Sequence, residues 1–485
     1  MRTLVALVSC VVAFLVASWA PLRAMAQKGG GADVVIDWMP SALASREICA
    51  HIAENVAPGV PVVLLCDTNA KVPNSPADRL LRGKNATLPG LSLRPRLILN
   101  DSYLDMHPTA NDKVRTQHNF VSPGKITGKG RNNRVLHNGD QGGLETLLGQ
   151  SEASKLWQLA EDAKNLVKKL IAVHAIECDL KPGVAHTGSS DRDVDGLHRY
   201  ADLLQSRYGY EDGELLDQAG CQDLCPSPDY KGGVLDWGAA HLHPLNYAIG
   251  LAKAAAAAGV RIHEGTHVHH ITEGQPATVQ TDRGFVKADH VILACNGYLG
   301  SLNRKVAARV MPINNFIAAT EPLGADAEYV LTKDVAVADS KFVVNYFRLS
   351  ADKRLLFGGG ESYGYRFPSD VAAKVRRPMT EIFPHLRDVK IDYAWGGTLA
   401  ITMKRLPYLA RVSPRILSAS GYSGHGVGTA THAGRLMAEA IAGQSEGFNT
   451  MARIPTAPFP GGPKMRTPLL ALAMTWFSLR DRLGL

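Results

Sequence analysis

Four glycines crowd one short stretch of the chain: Gly421, Gly424, Gly426 and Gly428, within Ala419-Ser420-Gly421-Tyr422-Ser423-Gly424-His425-Gly426-Val427-Gly428-Thr429-Ala430. An apolar run over residues 415–419 precedes it and a helix-like run over 431–442 follows. Strand, glycine turn and helix in that order set backbone N–H groups at a helix N-terminus, where they stabilise anionic oxygen. Glycine suits such a place because a flat ligand approaches the backbone without meeting a Cβ. The same spacing also serves as a plain strand-to-helix turn, so the rest of the chain has to decide between a ligand cradle and a connection.

Other residue types that carry chemistry form no comparable pattern. His263, His267, His269 and His270 are close in sequence, but successive residues of a strand point to opposite faces, so a solvated strand is expected there and no metal site. Cys221 and Cys225 are the only close pair among seven cysteines, and no second pair or histidine spacing completes a zinc site. No disulfide framework is indicated. No Ser-His-Asp or Cys-His arrangement is apparent, which argues against a hydrolase. The net charge is +8, but the basic residues are scattered, with only short clusters such as Lys374-Val375-Arg376-Arg377. A nucleic-acid surface would concentrate them, so no nucleic-acid partner is expected.

The elements that position these residues follow from periodicity. Leu156, Leu159, Ala160, Ala163, Leu166, Val167 and Leu170 recur at helical spacing and predict a helix over 152–173. A second helix is predicted over 245–258, ended by Gly259. Strands are predicted over 260–263, 266–271, 284–288 and 290–293. Residues 306–319 and 342–358 read as strands of a second, mostly antiparallel sheet, with a turn at Ser350-Ala351-Asp352-Lys353. With 485 residues, 45% hydrophobic and 20% charged, the chain is globular and long enough for two or three domains.

The N-terminal part differs in character. Arg2, an apolar run over 4–20 and Ala24-Met25-Ala26 make residues 1–26 similar to a secretory leader. The apolar run is short for a membrane span, and none is expected in the mature chain. Residues 71–127 are rich in Pro, Asn, Arg and Thr without a sustained period, and residues 27–127 as a whole read as an atypical, partly disordered region. At the other end, residues 468–479 read as an amphipathic helix within a C-terminal tail, 451–485.

Taken in order, these stretches resemble the FAD-dependent amine and amino-acid oxidoreductases of the D-amino-acid oxidase-like class. Residues 421–427 are similar to its closing flavin-contact motif. Trp395-Gly396-Gly397-Thr398, Met403-Lys404-Arg405-Leu406-Pro407, Phe357-Gly358-Gly359-Gly360 and Val291-Ile292-Leu293-Ala294-Cys295-Asn296-Gly297-Tyr298 fit the same class. Val343-Val344-Asn345-Tyr346-Phe347-Arg348 is similar to the branch that oxidises gamma-glutamylated putrescine. The resemblance covers roughly three quarters of the chain, residues 128–482.

The resemblance implies an α/β fold: a Rossmann-like FAD-binding layer with an interleaved, mostly antiparallel substrate-domain sheet, together forming an oxidoreductase unit over 128–450. It implies FAD as cofactor and a small amine or amino acid as substrate. It implies a cytoplasmic location for the family-like portion, or export if the leader is genuine. Cofactor contacts carried over are Gly130, Arg131, Asn132, Val268, Ala294, Gly297, Gly397, Pro407, Gly421, Ser423, Gly424, His425, Gly426 and Val427. Gly130-Arg131-Asn132 belong to a turn near the flavin, from which Asn133 departs, and Val268 passes beside the adenine. His425 stands by the flavin ring, with packing or helix capping as its plainer role. Backbone N–H groups of residues 423–427 face the reduced flavin's negative charge. Tyr346, Arg348 and Tyr363 lie on or near the pocket sheet. Arg348 suits a two-point grip on a substrate carboxylate, or else a surface ion pair.

One part of the class pattern is missing. A strand, Gly-x-Gly-x-x-Gly, a helix and a strand ending in an acid bind the dinucleotide. Here a strand over 32–36, a helix over 41–56 and a strand over 60–65 near Asp67 are predicted, but Asp37-Trp38-Met39-Pro40 fills the loop between the first strand and the helix. This first βαβ unit is therefore atypical, and weak FAD binding is expected. A gene fusion, a shifted frame or a misassigned start each produces such a region. An impaired family member and an exported binding protein stand as rival readings.

Overall fold

The computed structural model describes residues 141–462, apart from 342 and 364–366, and the backbone of four short strands before residue 141. Those strands are β1 (Leu4–Val5), β2 (Ala32–Val35), β3 (Val62–Val63) and β4 (Phe120–Val121). The rest of the leader-like segment, the 37–40 loop, the helix predicted over 41–56, the Gly130-Arg131-Asn132 turn and the C-terminal helix over 468–479 lie outside the described residues.

Further strands follow in chain order: β5 (Lys181–Gly188), β6 (Gly213–Leu216), β7 (Gly232–His241), β8 (Val260–His263), β9 (Val268–Thr272), β10 (Ala277–Thr281), β11 (Gly284–Ala288) and β12 (His290–Leu293). The remainder are β13 (Met311–Pro322), β14 (Ala336–Asp339), β15 (Tyr346–Leu349), β16 (Arg354–Tyr363), β17 (Ile391–Ile401), β18 (Tyr408–Ser413) and β19 (Ile416–Ser420).

The first layer is a sheet of order β18-β19-β12-β1-β3, in which all neighbours but β18 run parallel. Val291, Ile292 and Leu293 are buried at 0–1% exposure, as strands covered on both faces must be. The covering helices are Gln150–Val173 and Gly426–Ile441, which pack on each other. Leu156, Leu166, Val167 and Leu170 form the buried stripe of the long helix, so its helical spacing in the sequence becomes one apolar face against Leu436 and Met437. The strand β8 pairs in parallel with β2, and β9, β10 and β11 form a small antiparallel sheet.

The second layer is a nine-stranded sheet of order β17-β13-β16-β15-β14-β5-β7-β4, with β6 paired to β7. Every pairing along it is antiparallel except β14 with β5. Strand alternation divides its residues between two faces. Phe316, Phe347 and Phe357 face one side and pack with Val375, Met379 and Ile382 of the helix Val371–Ile382. Ile317, Leu356 and Trp395 face the other, with Tyr346 and Tyr393 against them. The two layers interleave along the chain: β5 to β7 precede the first layer's β12, and β13 to β17 separate it from β18 and β19.

One predicted strand starts too early. Residues 304–307 form a helical turn, Arg304–Ala307, and β13 starts only at Met311. Asn303 accounts for the difference: its Oδ1 accepts from the N–H groups of Lys305 and Val306 at 3.1 Å each, a helix cap that outweighs the strand preference of Val306.

Candidate active site

The glycine stretch joins a strand to a helix. After β19 ends at Ser420, the backbone turns through Gly421 (φ 74), Ser423 (φ 53) and Gly424 (φ 99), and the helix begins at Gly426. Ser423 adopts the left-handed region, which costs an L-residue energy, and three hydrogen bonds hold it there. Its N–H donates to Ala400 O at 3.0 Å, its hydroxyl donates to Gly421 O at 3.2 Å, and its Oγ accepts from Thr402 N–H at 3.4 Å. Asn296, also left-handed at φ 47, clamps the turn from β12: its Oδ1 accepts from Gly421 N–H at 3.1 Å.

The geometry leaves room for a flat group. Among the described residues, a Cβ built on Gly424 meets nothing within 4 Å, and one on Gly426 meets only Tyr422 Cδ2 at 3.9 Å. His425 occupies the N-cap position without a side-chain cap bond, so the first-turn N–H groups are not satisfied by the helix itself or by that imidazole. An open glycine surface over a helix N-terminus fits the flavin contact expected of this segment. His425 is half-buried beside it, its N–H donating to Tyr422 O at 3.0 Å.

Ala294 and Gly297 stand just past the carboxyl end of β12, beside the turn that follows its parallel neighbour β19. Carboxyl ends of parallel strands are where ligand crevices open in α/β sheets. Gly297 is glycine for packing, because a Cβ there would fall 2.5 Å from Thr398 O and 2.8 Å from Leu399 O. Pro407 follows Leu406, whose carbonyl accepts from Thr402 Oγ1 at 2.7 Å, and so flanks the turn through Thr402. Val268 is buried in β9, in the separate small sheet. Gly130, Arg131 and Asn132 are outside the described residues, as is the side chain of Tyr363.

The large sheet brings the pocket residues into register. Gly397 lies opposite Asn315, and Gly358 opposite Tyr346. Glycine at 358 lets the Tyr346 ring lie flat, since a Cβ would sit 2.2 Å from two ring carbons. Tyr346 OH donates to Asn315 Oδ1, and Asn315 Nδ2 donates to Gly360 O at 3.3 Å. Thr398 Oγ1 donates to Asn314 Oδ1 at 2.8 Å, and Thr398 N–H to Tyr298 OH at 2.9 Å. Burial pushes the Tyr346 hydroxyl pKa well up, so it stays protonated as a donor. Asn296 and Asn315 carry no signal as single residues in the sequence, because their partners lie far away along the chain.

Arg348 follows Tyr346 on the same face of β15 and is 2% exposed, with the partly exposed Asp179 as its ion-pair partner. Its Nη1 donates to Leu349 O at 3.3 Å and its Nη2 to Leu242 O at 3.4 Å, while Asp179 Oδ2 stays 3.9 Å away. Its Nε has no hydrogen-bond partner among the described residues. Burial pulls the guanidinium pKa down and Asp179 pushes it back up. Among the described residues no group of three or more His, Cys, Asp or Glu could hold a metal ion. Cys221 and Cys225 are buried thiols whose pKa values burial pushes up, to about 11 for Cys221.

An interleaved parallel layer and antiparallel sheet, meeting at an open glycine turn, define a flavin-dependent oxidoreductase. The chain belongs to the DAO family of FAD dependent oxidoreductases, matched over residues 123–440. It is 40% identical over 342 residues to the probable oxidoreductase OrdL of Rhizobium meliloti (strain 1021), covering 70% of this chain and 79% of that protein. It is 39% identical over 344 residues to the gamma-glutamylputrescine oxidoreductase of Escherichia coli (strain K12), covering 70% and 80%. Its fold is similar to that of the iminodiacetate oxidase IdaA from Chelativorans sp. BNC1, with a TM-score of 0.55 at 14% identity, covering 85% of this chain and 96% of that one. A glycine oxidase from Geobacillus kaustophilus superposes with a TM-score of 0.52 at 21% identity, covering 60% and 80%.

Proposed function

We propose that this chain oxidises the C–N bond of an amine that carries a carboxylate at its far end, a gamma-glutamylputrescine-like substrate, within an oxidoreductase unit spanning 128–450. The observation that supports the reading is Arg348: a buried guanidinium on the face of β15 that carries Tyr346, with no carboxylate inside hydrogen-bond distance among the described residues, Asp179 being 3.9 Å away. FAD, when bound, would supply the electron sink for a hydride leaving the carbon that bears the amine. Arg348 holds the carboxylate and so fixes which carbon of a long substrate reaches the reaction centre. Tyr346, tied to Asn315, forms the floor beside it. The N–H groups of residues 423–427 would hold the flavin and offset the negative charge that builds up on reduction. Water then hydrolyses the released imine to an aldehyde and ammonia.

Arg348→Ala tests the assignment. The lost contact acts on bound substrate and transition state alike, so KM for a carboxylate-bearing amine rises by roughly one to two decades, the equivalent of ~1.5–3 kcal/mol for a charge-assisted bond, while kcat changes much less. Steady-state kinetics on the FAD-loaded variant decide it. Kinetics equal to the parent's would remove Arg348 from the pocket.

A further inference from the structure

The reaction outlined above gives no role to His241, at the end of β7, although the residue lies near Arg348. Val337 and Phe347 are strand partners that both pack into the helix-covered core, so Ala336 and Arg348 face the other way. Ala336 is in register with Val184, and both pack with Ala239. β7 breaks register with β5 between Asp236 and Ala240, and beyond that break the His241 ring lies near Arg348, its Nε2 3.3 Å from Asp334 O. Arg348 reaches the same corner, its Nη2 donating to the carbonyl of the adjacent Leu242.

The corner holds two unmade hydrogen bonds. His241 is 1% exposed and Arg348 2%. His241 Nε2 lies 3.3 Å from Asp334 O, a carbonyl that only accepts, so Nε2 bears the hydrogen and Nδ1 presents a bare lone pair. Neither His241 Nδ1 nor Arg348 Nε has a partner among the described residues. Burial, then the charge of Arg348, pushes the His241 pKa down to about 4, and the ring is neutral at physiological pH. Around the pair, Lys181 bonds Asp334 at 2.5 Å and lies 3.4 Å from Asp179. Two cations, Lys181 and Arg348, therefore face two carboxylates, Asp179 and Asp334. A corner balanced in this way, with one charged donor and one neutral acceptor unused, complements a zwitterion better than a simple anion or cation. Desolvated groups left unpaired are costly, and a ligand that supplies both partners removes that cost.

We propose that His241 and Arg348 together clamp an α-amino-acid end group: the carboxylate accepts from Arg348 Nε–H, and the α-ammonium donates to His241 Nδ1. This rests on the proposed oxidation of a gamma-glutamyl amine, whose glutamyl end carries both groups, and assigns to His241 the selectivity for the ammonium.

L-Glutamine has both groups at one end, and glutaramate has the same chain without the α-amine. Calorimetric titration of the FAD-loaded protein should give L-glutamine an affinity about tenfold or more above that of glutaramate, since sites built to bond a polar group reject analogues lacking it. His241→Leu should bring the two probes within about twofold, while His241→Gln, which keeps an acceptor, should retain most of the preference. Circular dichroism of both variants checks folding. A preference unchanged in His241→Leu overturns the clamp, and so does its equal loss in both variants. The outcome for the wider reading is separate: parent enzyme that oxidises gamma-glutamyl amines with an unchanged preference in His241→Leu loses the clamp alone, whereas parent enzyme that neither oxidises them nor binds either probe loses both.

Discussion

At the scale of single residues, Gly424 and Gly426 are open for different reasons, and the difference can be measured. Gly426 starts a helix, and among the described residues only Tyr422, at 3.9 Å, comes near its would-be Cβ. A valine there has room in the folded chain, and helix propensity differs by only about 0.5 kcal/mol. Gly426→Val should therefore unfold at a denaturant midpoint close to the parent's and yet fail to bind FAD, because the branched side chain occupies the ligand's approach. Gly424 sits at φ 99, so Gly424→Val should lose stability as well as flavin. Urea unfolding alongside FAD titration separates the two, and full flavin binding by both variants would remove the turn from the cofactor site. These glycines were legible in the sequence because spacing alone announces a strand-turn-helix. Asn296 was not, although it stood inside a recognised motif, since its bond to Gly421 spans 125 positions.

At the scale of elements, the link between β14 and β15 leads into the strand of Tyr346 and Arg348 and is pinned by one carboxylate. Asp339 Oδ1 accepts from Asn345 N–H at 2.9 Å and from Lys341 N–H at 3.2 Å, and its Oδ2 accepts from Asn345 Nδ2 at 2.7 Å. Burial still outweighs these bonds and raises its pKa from 3.8 to about 6. A carboxyl whose folded pKa is raised favours the fold most when protonated, below about pH 4. That contribution fades as pH rises through about 6. Asp339→Asn cannot ionise, so its stability relative to the parent should improve between pH 4 and pH 7 by on the order of 3 kcal/mol. A pH-independent difference in urea unfolding would contradict this. Elements announced by local pattern, such as β11, β12 and the helix Gln150–Val173, were legible to within two residues. The turn Arg304–Ala307 was not, because a single asparagine cap decides it.

The first dinucleotide loop belongs to this scale too. Asp37-Trp38-Met39-Pro40 replaces glycines whose N–H groups would hold pyrophosphate. Losing three such bonds costs roughly 5–9 kcal/mol. The expected FAD dissociation constant is therefore above ~1 μM, the equivalent of about −8 kcal/mol. Fluorescence titration of the purified chain measures it, and tighter binding would mean that another segment cradles the phosphates.

At the scale of the whole molecule, the site exists because two layers interleave. The sheet order β17-β13-β16-β15-β14-β5-β7-β4 sets β14 beside β5, strands far apart in the chain, and brings His241 near Arg348. Strand periodicity shows which residues alternate but not which strands become neighbours, so the sheet was legible as mostly antiparallel while its order was not. The central claim is that this assembled face presents a gamma-glutamyl amine to FAD. Mixing the chain, saturated with FAD, with gamma-glutamylputrescine in the absence of oxygen tests it most directly. The visible flavin absorption band should bleach as the substrate is oxidised. A band that persists at full FAD occupancy would contradict it.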